Sequence, residues 1–78
     1  MGGKCVEIYQ LRQFAAVAKT ENMTRAAQSL SMAQPAVSKT IRNLESELGA
    51  ELFERTGKGL RRTEQGDILL RYARTILE

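Results

Sequence analysis

Residues 23–48, MTRAAQSLSMAQPAVSKTIRNLESEL, carry two short amphipathic segments separated by about two residues, and this pairing constrains the fold more than any other part of the chain. Thr24 is positioned to cap the first segment, because a hydroxyl accepts a hydrogen bond from a free N–H of the opening turn. Ala26, Ala27 and Leu30 then recur at helical spacing, and the paired alanines allow a second helix to approach closely. Ser31 and Met32 form the break. At Gln34-Pro35 the chain restarts as a helix; Pro35 suits a first turn, where its missing N–H would have no partner in any case.

In the second segment, at ~100° per residue, Val37, Ile41, Leu44 and Leu48 fall within an arc of ~60°. Pro35, Lys39, Arg42 and Ser46 gather on the opposite side, with Ser38 at its flank. Such a helix is anchored by one stripe and presents cations and hydroxyls outward. No Asp or Glu occurs between Asn22 and Leu44, so the local field is positive. By itself the face also describes an ordinary solvated surface helix. Paired with a preceding short helix, it points to a segment that reads DNA.

Seventy-eight residues make one small domain, which buries only about 60% of the surface its unfolded chain exposes. A core of that size is marginal and often needs a partner. Twelve basic and 9 acidic residues leave a net charge of +3, so where the charge sits matters more than its amount. Arg55, Lys58, Arg61 and Arg62 fall within a run that contains no acid. Cys5 is the lone cysteine, so no intrachain disulfide forms, consistent with a reducing, cytoplasmic compartment. His is absent, and with it ordinary zinc-site spacings and His-activated nucleophiles; neither metal nor cofactor is expected. The apolar runs are too short to span a bilayer and no signal-peptide pattern is present. Val6 stands where myristoylation at Gly2 calls for Ser or Thr, so no membrane partner is expected.

Residues 1–7 are expected to form a disordered end. Residues 8–20 carry a helical pattern with Leu11, Phe14, Ala15 and Ala18 on one face, the mark of a core helix, and residues 19–22 read as the connection to the next one. Gly49 is placed to end the second amphipathic segment in a left-handed conformation. Beyond it, Leu52-Phe53 and Leu60-Arg61-Arg62-Thr63 flank a loop containing Gly57 and Gly59. This predicts a small β-hairpin whose cations project from the domain, both glycines supplying positive backbone angles. A solvated charged loop is the plainer alternative. GKG lacks the spacing and the following Ser or Thr of a phosphate-binding loop.

Thr63 reads as the N-cap of a last helix, with Glu64 and Asp67 favourable in its opening turn. Ile68, Leu69, Leu70, Tyr72, Ala73, Ile76 and Leu77 sweep an apolar arc of ~200°, whereas a helix burying one stripe needs only about 100°. The surplus implies a second partner surface, either another copy of this helix or a downstream domain. Packing within this domain alone is the alternative. The pattern still runs at Glu78, as in a longer helix cut short.

Taken together, LRQFAAVAKTENMTRAAQSLSMAQPAVSKTIRNLESELGAELFERTGKGLRRTEQG, residues 11–66, resembles the N-terminal domain of the LysR-type transcriptional regulators. Few families carry AQPAVSKTIRNLESELGAELFER in this order. The resemblance implies a mainly α fold: a winged helix-turn-helix with a three-helix core and a small β-hairpin wing over residues 8–63. Residues 64–78 would begin a long linker helix that dimerises. A C-terminal ligand-sensing domain, where a small-molecule effector would bind, is implied outside this chain. Met23 departs from the family, which usually has an aromatic residue there; Met fills the same gap with softer packing. Carried over by position, the base-reading residues are Gln34, Pro35, Ser38 and Lys39, the last more often Arg. Thr24 resembles a phosphate contact, and Arg55 and Lys58 match wing positions that approach the backbone or minor groove. Arg42 is added from the helical wheel as a phosphate contact.

Side-chain chemistry bears these roles separately. A Gln side chain donates and accepts at one adenine edge, a basic side chain meets guanine acceptors, and the Pro35 ring and Ala36 can meet a thymine methyl. Lys39 replaces a bidentate fork by a point charge, which shifts its weight toward phosphate. The expectation is a dimeric, sequence-specific double-stranded DNA-binding domain of a bacterial, cytoplasmic transcriptional regulator, not an enzyme, on a roughly palindromic operator. The homodimer is expected through Leu69, Tyr72, Ala73, Ile76 and Leu77, with higher oligomers in the full-length protein. The rival is a winged-helix protein–protein interaction module in which the basic wing is incidental.

Overall fold

In the computed structural model, residues 6–77 are described; Gly2 and Cys5 lie outside them. Helix α1 (Ile8–Thr20) is tied at its start by the Glu7 N–H, which donates to Gln10 Oε1 at 2.8 Å. Val6 packs against the core, so the folded part already includes the last two of the residues expected to be disordered. The helix ends where Glu21 turns left-handed (φ 51°) and its N–H donates to the Val17 carbonyl at 2.7 Å. Only Glu21 and Asn22 connect it to α2 (Met23–Leu30). The cap of α2 is Asn22, not Thr24: the Asn22 Oδ1 accepts from the Arg25 N–H at 2.9 Å. Thr24 is already helical, past the extended position from which a side chain reaches back over the first turn.

Helix α3 (Gln34–Leu48) crosses α1 and α2, and Gly49 ends it with φ 66° as expected. Ala26 and Ala27 are buried between the neighbouring helices, where the absence of bulk lets the axes close. Phe14, Val17 and Ala18 from α1 join Val37, Ile41 and Leu44 from α3 to form the centre of the core. The hairpin closes one side. Its strands, β1 (Phe53–Thr56) and β2 (Gly59–Arg62), pair antiparallel with Phe53 opposite Arg62 and Thr56 opposite Gly59. Phe53 reaches Phe14 at 5.5 Å between ring centroids, tilted by 45°, and Leu52 is buried beside it. Gly59 takes the left-handed region (φ 126°) but Gly57 does not. The Thr56 hydroxyl closes the turn instead, accepting from the Lys58 N–H at 3.2 Å and donating to the Gly59 carbonyl at 3.1 Å.

Thr63 caps α4 (Glu64–Leu77), its Oγ1 accepting from the Gly66 N–H at 3.1 Å. The same residue fastens the helix start to the loop after α3, its N–H donating to the Leu52 carbonyl at 3.0 Å and its hydroxyl to the Glu51 carbonyl at 2.6 Å. Gly66 lies against the Leu52 carbonyl so closely that any Cβ there would collide with backbone. The result is a winged helix-turn-helix: three helices, a two-stranded wing, and a fourth helix seated on α1.

Candidate nucleic-acid interface

The turn between α2 and α3 sets the angle of the second helix. Ser31 adopts φ 56°, and its N–H and that of Met32 return to carbonyls at the end of α2. These bonds satisfy carbonyls that a helix end leaves without partners. Ala33 then serves as an extended N-cap without a side-chain acceptor, and Pro35 occupies the first turn of α3. From that start the helix turns Val37, Ile41 and Leu44 into the core, none more than 3% exposed. Pro35, Ala36, Lys39, Arg42 and Ser46 face solvent, while Gln34 and Ser38 are half-buried along the flank. Leu48 departs from the expected stripe: it is 42% exposed, because it lines an open apolar depression with Ala50, Leu69 and Tyr72 rather than the closed core.

The wing brings distant residues to this face. A cleft of about 240 Å³ is lined by Thr24, Gln34 and Arg55 together with Asn22, Met23 and Leu60. An adjoining one of about 330 Å³ is lined by Ser38, Arg42 and Arg55. Arg55 therefore stands between the start of α3 and its middle, and Met23 lines both clefts. Pro35, Ala36 and Lys39 lie on the outer surface of α3, beyond the clefts. Lys58 is at the hairpin tip, in a separate depression with Glu21 and Arg61.

Two supporting residues had no clear signal in the sequence. Glu45 Oε2 accepts from the backbone N–H groups of Leu52 (2.8 Å) and Phe53 (3.4 Å), fixing the approach to β1 on α3. An acid one turn before a helix end is the only hint, and it is common. Arg62 belongs by sequence to the wing's run of cations, yet its guanidinium is turned inward onto Asp67 and α1.

On α4, Ala73 is fully buried and Leu70 nearly so, both within the domain's own core. Leu69 and Leu77 are partly buried against that core. The apolar surface left over is carried by Tyr72 (65% exposed), Ile76 (55%) and Ile68 (43%). Of the five residues expected at a dimer contact, Ala73 is thus spent inside the monomer, and Ile68 joins the exposed set.

The family model described as bacterial regulatory helix-turn-helix protein, lysR family, matches residues 8–67. This chain belongs to the LysR family. The RuBisCO operon transcriptional regulator of Allochromatium vinosum is 49% identical over 91% of the chain, which covers 24% of that protein. The BenM DBD in a complex with benA site 1 DNA superposes with TM-score 0.87 at 40% identity, covering 92% of this chain and 84% of that one. The CbnR DBD in a DNA complex gives the same TM-score and identity, covering 92% and 83%. The LysR-family chain spans about a quarter of the length of the curated relatives it matches. No helix among its described residues is long and apolar enough to cross a membrane.

Proposed function

We propose that this chain binds double-stranded DNA sequence-specifically, as the DNA-binding domain of a bacterial transcriptional regulator. α3 lies in the major groove, and the wing follows the adjacent backbone or minor groove. One observation carries the reading: α3 buries Val37, Ile41 and Leu44 and turns Pro35, Lys39 and Arg42 outward, with Arg55 of the wing beside the same face. The solved DNA complexes of BenM and CbnR DBDs, with nearly the same backbone, support it.

Gln34, Pro35, Ala36, Ser38 and Lys39 are the base-reading set. Gln34 suits an adenine edge, Pro35 and Ala36 a thymine methyl, and Ser38 either kind of base. Thr24, Arg42, Arg55 and Lys58 meet phosphates and hold the register. Two chains pair through the outer face of α4, with Tyr72 and Ile76 at the centre and Leu69 and Leu77 at its edges. A two-fold pair reads a roughly palindromic site with half-sites about one helical turn, or a multiple, apart. Linker residues 64–78 then join the domain to an effector-binding part outside this chain, in a cytoplasmic protein.

Selection of bound duplexes from a random pool tests the reading. A two-fold consensus with helical-turn spacing is expected, and affinity for it should fall steeply with salt as counterions are released. Failure to enrich any sequence, or binding indifferent to salt, would favour the interaction-module alternative.

A further inference from the structure

Among the cations of residues 55–62, Arg55, Lys58 and Arg61 face solvent, and Arg62 does not behave as they do. Its side chain is 31% exposed and its donors are engaged in three directions. Nε–H donates to Asp67 Oδ1 at 2.7 Å, and Nη1 to the Ala18 carbonyl at 2.6 Å. Its backbone N–H donates to Glu21 Oε2 at 3.0 Å. The Ala18 carbonyl lies in the last turn of α1, where the N–H that would ordinarily serve it, that of Asn22, donates instead to Thr20 Oγ1 at 3.2 Å. A guanidinium placed there satisfies the carbonyl and sits at the negative end of the helix dipole. Asp67 lies in the first turn of α4, at the positive end of its own helix. From the last residue of β2, Arg62 therefore clasps the end of one helix and the beginning of another.

A two-stranded hairpin of four-residue strands has little stability of its own, so its direction depends on what holds its base. On the β1 side the base is held by buried Phe53 and the Glu45 carboxylate. On the β2 side it is held by Arg62, which pairs with Phe53 in the ladder. Arg55 faces Leu60 in the same ladder, so a shift at the base of β2 carries Arg55 away from α3.

We propose that Arg62 is a positioning residue: it locks the wing to α1 and α4 so that Arg55 stands beside the base-reading face, and it does not itself touch the duplex. This rests on the DNA-binding reading above. Asp67→Asn gives a test by sign. Removing an acid raises the net charge, which alone tightens DNA binding, and it would also release an arginine destined for phosphate. If Asp67 instead anchors the clasp, binding of the selected duplex weakens, by about threefold or more. Arg62→Met keeps the apolar stem and removes the donors. It is expected to weaken binding about threefold, no more than Arg55→Ala itself, in the otherwise unchanged chain, and to add almost nothing in an Arg55→Ala background, where the wing contact is already gone.

Tighter or unchanged binding by Asp67→Asn overturns the proposal, as does an Arg62→Met loss of equal size in both backgrounds. Thermal melting accompanies each variant. If Arg62→Met does not fold, the same coupling is read between Asp67→Asn and Arg55→Ala. Absence of salt-dependent duplex binding by the unsubstituted chain would instead overturn the parent reading.

Discussion

α3 and α4 are nearly equal in length, 15 and 14 residues, and each buries one apolar stripe, yet they turn different chemistry to solvent. The outer face of α3 carries Pro35, Lys39, Arg42 and Ser46; that of α4 carries Ile68, Tyr72 and Ile76. Folding explains only the inner stripes. An outward cationic face gains from a polyanion, through released counterions, whereas an outward apolar face gains only by being taken out of water. One small domain thus presents two surfaces with different driving forces, and salt strengthens the case for separating them: it weakens the first and leaves the second nearly untouched.

The inner stripes should be the most sensitive part of the comparison. Leu44→Ala, at a fully buried position, is expected to cost about 2–5 kcal/mol of folding stability in urea denaturation. A loss below about 1 kcal/mol would mean that α3 is not anchored as described. Gln34→Ala comes next and tests the outer face of α3: about 1–3 kcal/mol on the selected duplex, with relaxed preference at one base pair. Equal losses on selected and random duplexes would remove base reading from that position. Ile76→Glu tests the other face. Since Ile76 is 55% exposed, monomer stability should hold while dimer dissociation rises by about tenfold or more in sedimentation equilibrium. An unchanged dimer would move the interface elsewhere. The smallest effect is reserved for Arg55→Ala, which should weaken all duplexes alike and lower the salt slope by about 1; an unaltered slope would take the wing off the backbone.

Helix positions were legible because burial imposes a period: Phe14, Ala18, Val37, Ile41 and Leu44 all lie where the spacing puts them. End effects were less so. Asn22 and Thr24 are both good capping residues, and the choice between them depends on which residue is extended, a matter decided by the path from α1. Gly57 and Gly59 look alike in sequence, but the Thr56 hydroxyl stabilises a turn that needs positive φ only at Gly59. The apolar excess of α4 was readable; its division between Ala73 inside and Tyr72 outside was not, because that depends on the angle at which α4 meets α1.

The sequence by itself determined the helix pair, the hairpin, the cation-bearing face of α3 and the resemblance to LysR-type regulators. Those follow from local spacing and from residue chemistry, which survive without knowledge of neighbours. Tertiary structure alone decided which cations remain available. Arg55 and Arg62 are indistinguishable in a linear charge run, and only the approach of Asp67 and of the α1 terminus draws one inward while the other stays beside α3. Long side chains commit to whatever partner comes within reach, and reach is a property of three dimensions.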